Sequence, residues 1–136
     1  MAKEFTFKQY QEEAYVMIPP HDSERDEMLN WLVGLSEETG EVMSVFKHAF
    51  WGKEGFNPIE LAKEVGDVLW YLQAICSVAN LDLGVCAELN LRKLQHRHGG
   101  KDFSYKASQM RHEKEKAFEQ TEQYKELIKY LRKDQT

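Results

Sequence analysis

The sequence predicts an all-α fold, a packed bundle of four to five helices. Between a few breaks, apolar residues recur at steps of three and four, which is the spacing of amphipathic helices. No stretch alternates apolar and polar residues for long enough to indicate a strand. Breaks at 19–20, 52–58, 80–84 and 99–100 contain the proline and glycine residues that separate the helical segments.

Helices are expected over 7–17, 25–50, 58–79, 83–97 and 105–132. Start signals accompany most of them. Ser23 precedes an acidic run, and acidic side chains are favourable at the positive end of a helix. Asn57 and Pro58 fit an N-cap followed by proline in the first turn. Asp82 and Ser104 stand where they can cap the last two helices.

Composition excludes several classes of protein. With 136 residues, 42% of them hydrophobic and 30% charged, the chain is typical of one globular domain. A net charge of -5 disfavours binding to a nucleic acid polymer. The longest apolar stretch, 68–79, is shorter than the roughly 20 residues of a membrane span, so no membrane association is expected. Two cysteines are too few for a disulfide scaffold, and the N-terminus lacks a secretory signal, so the expected location is cytoplasmic.

Two segments, 35–42 and 61–68, share the pattern L-x-x-E-x-G-[E/D]-V. Each places two carboxylates one helical turn apart. With an advance of about 100° per residue, both pairs fall on the same flank of the apolar stripe of their helix. These stripes are predicted to form the core and include Leu32 on the first helix and Val65 and Leu72 on the second. Antiparallel packing of the two helices would therefore bring four acidic groups together. These groups are Glu38, Glu41, Glu64 and Asp67.

Converging carboxylates repel one another and are costly to desolvate unless cations hold them. Their oxygens suit Mg²⁺, with Mn²⁺ as the alternative ion. Gly40 and Gly66 stand beside the acids in mid-helix, where each costs about 1 kcal/mol relative to alanine, which indicates that backbone or a ligand approaches there. A solvated acidic face is the simpler alternative. A ferritin-like di-iron site is disfavoured because no histidine follows a glutamate by three residues.

The fourth helix carries the opposite charge. Asn90, Lys93 and Arg97 share one of its faces. Arginine binds phosphate oxygens as a bidentate fork and lysine as a point charge, so this face is a candidate phosphate clamp. An exposed basic face is the alternative. Basic side chains near a metal ion are favourable when an anion such as a polyphosphate lies between the side chains and the ion.

Two further residues are candidates for contact with a bound ligand. Asn30 lies about 140° from the centre of the apolar stripe, on the side of Glu41, where it can hydrogen-bond a ligand. Tyr71 belongs to a set of aromatic residues near the acidic segments that either stack on a ligand or complete the core. The set is Phe46, Phe50, Trp51, Trp70 and Tyr71.

With these motifs, the chain resembles the MazG-like nucleotide pyrophosphohydrolases of the all-α NTP pyrophosphatase superfamily. The matching stretches follow the family's order and cover roughly residues 8–105. They are 10–14, 24–30, 34–42, 64–72, 90–97 and 103–104. The paired E-x-x-E and E-x-x-D signature is specific when both halves occur at this separation.

The resemblance implies a helical fold that assembles as a homodimer or homotetramer. It also implies Mg²⁺-dependent hydrolysis of a nucleoside triphosphate substrate, a (d)NTP, to the (d)NMP and pyrophosphate, as in nucleotide-pool cleansing. The four acidic residues named above correspond to the family's metal ligands. The polar and basic face of the fourth helix corresponds to its phosphate-contacting motif. With a nucleotide as the substrate, Asn30 is the candidate to read a base edge and Tyr71 is a candidate to stack on the base.

Glu38 and Glu41 are the candidate catalytic residues. A metal ion held by carboxylates activates water, and a carboxylate that the metal does not fully occupy can accept the proton. Glu41 is the first candidate for that step, and Glu37 is a second whose helical phase points toward solvent. Two alternatives stay open: a non-catalytic helical module that binds nucleotide or regulates a partner, and a purely structural helical oligomer.

The enzymatic domain is expected over 1–105, and a C-terminal helical extension over 106–136. The extension begins with a run of almost entirely polar residues and then carries a short apolar stripe. This stripe either packs on a neighbouring element or partner subunit, or belongs to a frayed tail. Its residues are Tyr124, Leu127, Ile128 and Leu131.

Overall fold

The computed structural model describes residues 4–53, 55–100 and 102–132. Throughout these residues the regular structure is helical, with one isolated bridge between Leu81 and Arg132, so the predicted all-α class is confirmed. The helices are α1 (Phe7–Tyr15), α2 (Glu24–Trp51), α3 (Pro58–Val78), α4 (Leu83–His98), α5 (Tyr105–Gln109), α6 (Arg111–Glu119) and α7 (Glu122–Lys129).

The helix starts follow the capping residues read from the sequence. Ser23, Asn57, Asp82 and Ser104 each accept a hydrogen bond at 2.9–3.2 Å from a backbone N–H in the first turn of α2, α3, α4 and α5 respectively. Such bonds satisfy backbone donors that have no partner inside the helix. The predicted N-caps are therefore confirmed.

The C-terminal segment expected as one helix over 105–132 is instead divided into α5, α6 and α7. One division falls at Met110 and the other at Gln120 and Thr121. The Thr121 side chain accepts a hydrogen bond from the Tyr124 backbone N–H and so starts a new helix. This division accounts for seven helices in the described chain where four to five were expected.

The described chain forms two compact units. The first contains Gln9–Ala79, and therefore α2, α3 and most of α1. The second contains α4 to α7 together with Thr6–Lys8. Each unit has its own buried side chains, of which Trp31 in the first and Phe118 in the second are the largest apolar ones.

In the first unit, α2 and α3 pack along each other around Trp31, which is 1% exposed. The rings of Trp70 and Tyr71 on α3 meet Trp31 edge-on, with centroids 5.2 and 6.0 Å away. Such edge-to-face pairs are a favoured aromatic geometry. Gly34, one turn after Trp31, leaves room for the Tyr71 ring, because a Cβ at Gly34 would overlap that ring.

We expect Gly34→Ala to destabilise the protein by about 1–3 kcal/mol, since the added methyl must displace the packed Tyr71 ring. Helix propensity alone predicts the opposite sign, because alanine is favoured over glycine in mid-helix by about 1 kcal/mol. Gly66→Ala is the matched control, since a Cβ there meets no described atom within 4 Å. Thermal unfolding of both variants without metal measures the difference. Equal stabilisation by the two substitutions would contradict the close packing at Gly34.

Much of the apolar stripe predicted as core on α2 and α3 remains accessible in the single chain. Leu32, Val65 and Leu72 are 46%, 51% and 38% exposed. Further apolar side chains exposed on the two helices are Leu29, Val33, Met43, Phe46, Phe50, Trp51 and Ile59. None of the helices in the described chain has both the length and the apolar character that a membrane crossing requires.

In the second unit, α5, α6 and α7 pack on α4. Phe118 of α6 is 2% exposed and contacts the rings of His96 and Tyr124, with centroids 5.6 and 5.5 Å away. The Asp82 backbone N–H donates to the Leu131 carbonyl at 2.9 Å. The C-terminal segment is thus tied to the N-cap of α4 through Leu131, and Tyr124 of its apolar stripe packs on Phe118.

Candidate functional site

Three of the acidic residues singled out in the sequence lie together in the first unit. Oxygen atoms of Glu38 on α2 and of Glu64 and Asp67 on α3 all lie within 4.8 Å of one another. Glu38 and Glu64 are half-buried and Asp67 is exposed. The packing of α2 along α3 brings the two carboxylate-bearing turns to the same place. We call these three residues the acidic triplet.

The separations in the acidic triplet fit a divalent cation. Oxygens bound to Mg²⁺ at about 2.1 Å lie at most about 4.2 Å apart, so small side-chain rotations close the triplet around one ion. Carboxylates are the protein ligands that Mg²⁺ and Mn²⁺ prefer, and water completes their coordination. The triplet can therefore hold one such ion with sites left for a substrate.

Glu41, the fourth acidic candidate, lies beside the triplet and is not one of its three residues. It borders a cavity of about 320 Å³ that Glu64 also lines. The other residues around this cavity are Ser44, Val45, His48, Gly55, Asn57 and Glu60. The structure thus brings Glu41 next to Glu64, one helical turn beyond Glu38.

The charges in this region perturb one another. Partial burial raises the pKa of Glu38, and repulsion from Asp67, Glu64, Glu37 and Glu41 raises it further. The same combination raises the pKa of Glu64: burial first, then repulsion from Glu60, Asp67 and Glu41. Like charges disfavour ionisation of one another. A bound cation would reverse that effect, because it stabilises the ionised forms.

The raised pKa of Glu38 has a consequence for stability that can be measured. A carboxyl whose pKa is higher in the folded than in the unfolded state binds more protons when folded, so its contribution to stability falls as the pH rises through this range. In metal-free buffer, Glu38→Gln should therefore melt a few degrees above the wild type at pH 7. The difference should shrink as the pH falls through the ordinary range of a glutamate carboxyl, because the group then becomes protonated in both states. A difference independent of pH would contradict the repulsion.

Two tyrosines lie within reach of the triplet's charge. Burial raises the pKa of Tyr71, and Glu38, Glu37 and Asp67 add to the rise. Tyr71, predicted to contact substrate, thus stands at the triplet, while its ring packs on Trp31. The pKa of Tyr10 on α1 is likewise raised, by burial and by Asp67.

The sequence reasoning missed two residues near the triplet, Tyr10 and Glu60. Glu60 stands one turn before Glu64 on α3 and faces the cavity that Glu41 borders. The spacing of four residues between these glutamates was the available signal, because it places them on one helix face. Tyr10 offered no signal beyond its place in the opening motif.

Asn30 is not brought to the acidic triplet. It is exposed on α2. Eight residues separate it from Glu38, which corresponds to roughly 12 Å along the helix axis. A contact between Asn30 and a substrate base stays a prediction.

Gly40 and Gly66 border open space. A Cβ at either position would meet no atom of the described chain within 4 Å. The close approach expected beside the acids is therefore not made by the chain's own backbone. The surface beside the triplet is accessible to a ligand.

The basic candidates lie on α4, in the second unit. The Arg97 side chain is 15% exposed, and its guanidinium forms an ion pair with Glu115 of α6. The Lys93 ammonium lies 3.9 Å from the same carboxylate. Asn90 and Lys93 line a cavity of about 480 Å³ in this unit. The structure therefore brings Lys93 and Arg97 together around one carboxylate.

The chain is similar to known proteins over the region that carries these residues. The family model of the MazG nucleotide pyrophosphohydrolase domain matches residues 26–100, more than half of the chain. The gene 37 protein of Mycobacterium phage L5 is 33% identical over 69 residues, which are 48% of this chain and 60% of that protein. No solved structure matches the chain significantly. The match to the family model includes the acidic triplet, Glu41 and the three candidates on α4.

Proposed function

Because the chain belongs to the MazG nucleotide pyrophosphohydrolase family, we propose that it hydrolyses a nucleoside or deoxynucleoside triphosphate to the monophosphate and pyrophosphate. The observation that supports this activity is the convergence of Glu38, Glu64 and Asp67 from two packed helices. Acids that repel one another while two of them are half-buried indicate a site for a cation. Mg²⁺ is the proposed cofactor, and Mn²⁺ can replace it.

In this proposal Glu38, Glu64 and Asp67 would hold the ion, which would supply positive charge to balance the triphosphate and make a water at the site more acidic. Glu41 lies beside the triplet, where its carboxylate can take the proton from the attacking water. The oxygen of that water forms a new bond to phosphorus, the α–β anhydride bond breaks, and pyrophosphate leaves. Glu38 contributes to catalysis by fixing the ion.

The remaining candidates are assigned to the substrate. Asn90, Lys93 and Arg97 bind phosphate oxygens, because a guanidinium and an ammonium on one helix face match a phosphate chain. Tyr71 and Asn30 are proposed contacts to the nucleoside. We propose residues 1–105 as the enzymatic domain and 106–136 as an extension. The proposed role is cleansing of the nucleotide pool in the cytoplasm, since the proposed substrates are the triphosphates of that pool.

Turnover of a nucleotide panel tests the proposal. Each (d)NTP is incubated with Mg²⁺ or Mn²⁺, and phosphate is measured with and without added inorganic pyrophosphatase. The expected result is phosphate release that depends on the metal and on the added pyrophosphatase, since pyrophosphate is the product. Intact triphosphates across the panel, with nucleotide still bound, would favour a non-catalytic binding or regulatory module. Absence of both binding and turnover would favour a structural oligomer.

We further propose that the protein is a homodimer or homotetramer. The exposed apolar side chains on α2 and α3 support this assembly, since monomeric proteins rarely leave large apolar surface open to water. A second copy would bury Leu32, Val65 and Leu72, which the helical pattern assigns to a core. Light scattering coupled to gel filtration should give two or four times the mass of the chain. A monomer mass at micromolar concentration would contradict this assembly.

A further inference from the structure

The basic face of α4 already has an anionic partner within the second unit. Glu115 of α6 forms the ion pair with Arg97 and lies 3.9 Å from the Lys93 ammonium. The three charged groups are partly or largely shielded from water, with Arg97 the most buried of them. Glu115 therefore occupies the position at which a phosphate oxygen would contact both cations.

This pairing leaves the cations incompletely neutralised. Two positive charges share the Glu115 carboxylate, so these three groups together have a net positive charge, while Glu119 also borders the adjoining cavity. The buried Nε atom of Arg97 has no hydrogen-bond partner among the described residues. A buried donor without a partner is costly, and an incoming oxygen anion can relieve that cost.

There is room for an anion to enter beside Glu115. Glu115 borders the cavity of about 480 Å³ that Asn90 and Lys93 also line. Phe118, buried one turn further along α6, contacts the His96 ring of α4, so α6 has an apolar contact with α4 in addition to the ion pair. The Glu115 side chain can therefore swing away from α4 while α6 keeps its place.

We propose that Glu115 is an internal competitor for the phosphate-binding face of α4, and that it lowers the affinity of the ligand-free protein for phosphate chains. This inference rests on the proposed function in one respect, the assignment of Lys93 and Arg97 to phosphate oxygens. A carboxylate and a phosphate both use the guanidinium fork, so they compete for the same N–H donors. A polyphosphate carries several negative charges and displaces the single carboxylate.

The test measures the affinity for inorganic tripolyphosphate by titration calorimetry, with the full chain and without turnover. Glu115→Gln removes the competing charge, and we expect the dissociation constant to fall about three- to tenfold. Glu113→Gln is the matched control, because it removes an equal charge from an exposed position on the same helix. Tighter binding in Glu115→Gln alone supports the competitor. Unchanged or weaker binding in Glu115→Gln, or an equal gain in the control, overturns it.

A second variant covers loss of folding, since Glu115→Gln leaves the largely buried Arg97 without its partner. Glu115→Asp keeps the charge and retracts the carboxylate by one methylene, so it should also tighten binding, by a smaller factor. If Glu115→Gln does not fold, Glu115→Asp decides the test. A folded Glu115→Asp protein that binds tripolyphosphate no more tightly than the wild type would overturn the proposal. The nucleotide panel tests triphosphate hydrolysis separately from competition by Glu115. A protein that does not hydrolyse triphosphates can still bind tripolyphosphate more tightly when Glu115 is replaced.

Discussion

Glu64→Gln should reduce the rate of triphosphate hydrolysis by about 100-fold or more. Glutamine keeps the shape of the side chain and removes the negative charge that a divalent ion requires. Glu64 is the member of the acidic triplet that also borders the cavity with Glu41, so its loss affects both the proposed metal site and its surroundings. Steady-state turnover over a range of Mg²⁺ concentrations measures the effect, which excess Mg²⁺ should not restore.

The same substitution should change stability in the opposite direction. Burial raises the pKa of Glu64, and repulsion from Glu60, Asp67 and Glu41 raises it further, so neutralising Glu64 relieves unfavourable charge in the metal-free protein. Saturating Mg²⁺ should raise the melting temperature of the wild type, because an ion that binds only the folded state stabilises it. That increase should disappear in Glu64→Gln. Lower activity together with higher metal-free stability distinguishes a lost metal ligand from a misfolded variant.

Glu37→Gln is the control for Glu64→Gln. Glu37 neighbours Glu38 on α2, is exposed and lies outside the acidic triplet. We expect it to keep most of the activity and the stabilisation by Mg²⁺. Full activity in Glu64→Gln would contradict the metal site. Loss of activity in Glu37→Gln alone would transfer the role of general base from Glu41 to Glu37.

Helical periodicity, together with assumed antiparallel packing, predicted that four acids converge, and the structure brings three of them within 4.8 Å of one another. Glu38, Glu64 and Asp67 sit in long, regular helices, where the spacing fixes which side chains share a face. Periodicity does not fix the axial offset between two packed helices. That offset decides that Glu38 joins Glu64 and Asp67 while Glu41 lies one turn away. The packing of Tyr71 on Gly34 depends on the same offset, so the sequence offered no signal for it.

The C-terminal segment was less predictable for a different reason. Its helices are short and polar, so their ends depend on single capping groups such as the Thr121 hydroxyl. The partner of Arg97 is Glu115, 18 positions away and on another helix. The spacing of residues in the sequence does not show that Glu115, and not one of the acidic residues near it, pairs with Arg97. Only the packing of α6 on α4, anchored by Phe118, does so.

Arg97→Ala should raise KM for the triphosphate about ten- to a hundredfold, since each charge-assisted hydrogen bond to phosphate contributes about 1.5–3 kcal/mol. Turnover at saturation should change less, because the acidic triplet is intact. Arg92→Ala is the matched control. Arg92 is on the same helix and pairs with Glu88 at 3.1 Å, outside the proposed phosphate contacts. Equal effects of the two substitutions would show that only the overall charge of α4 matters.

Combining Arg97→Ala with Glu115→Gln tests whether both residues act on one phosphate group. If Glu115 competes through the guanidinium, its removal should tighten phosphate binding less when Arg97 is absent, and the two effects should not add. Lys93, 3.9 Å from Glu115, can account for a residual gain. Additive effects would mean that the carboxylate and the guanidinium act on separate sites. Non-additivity would locate the phosphate chain at the face of α4 that α6 now covers.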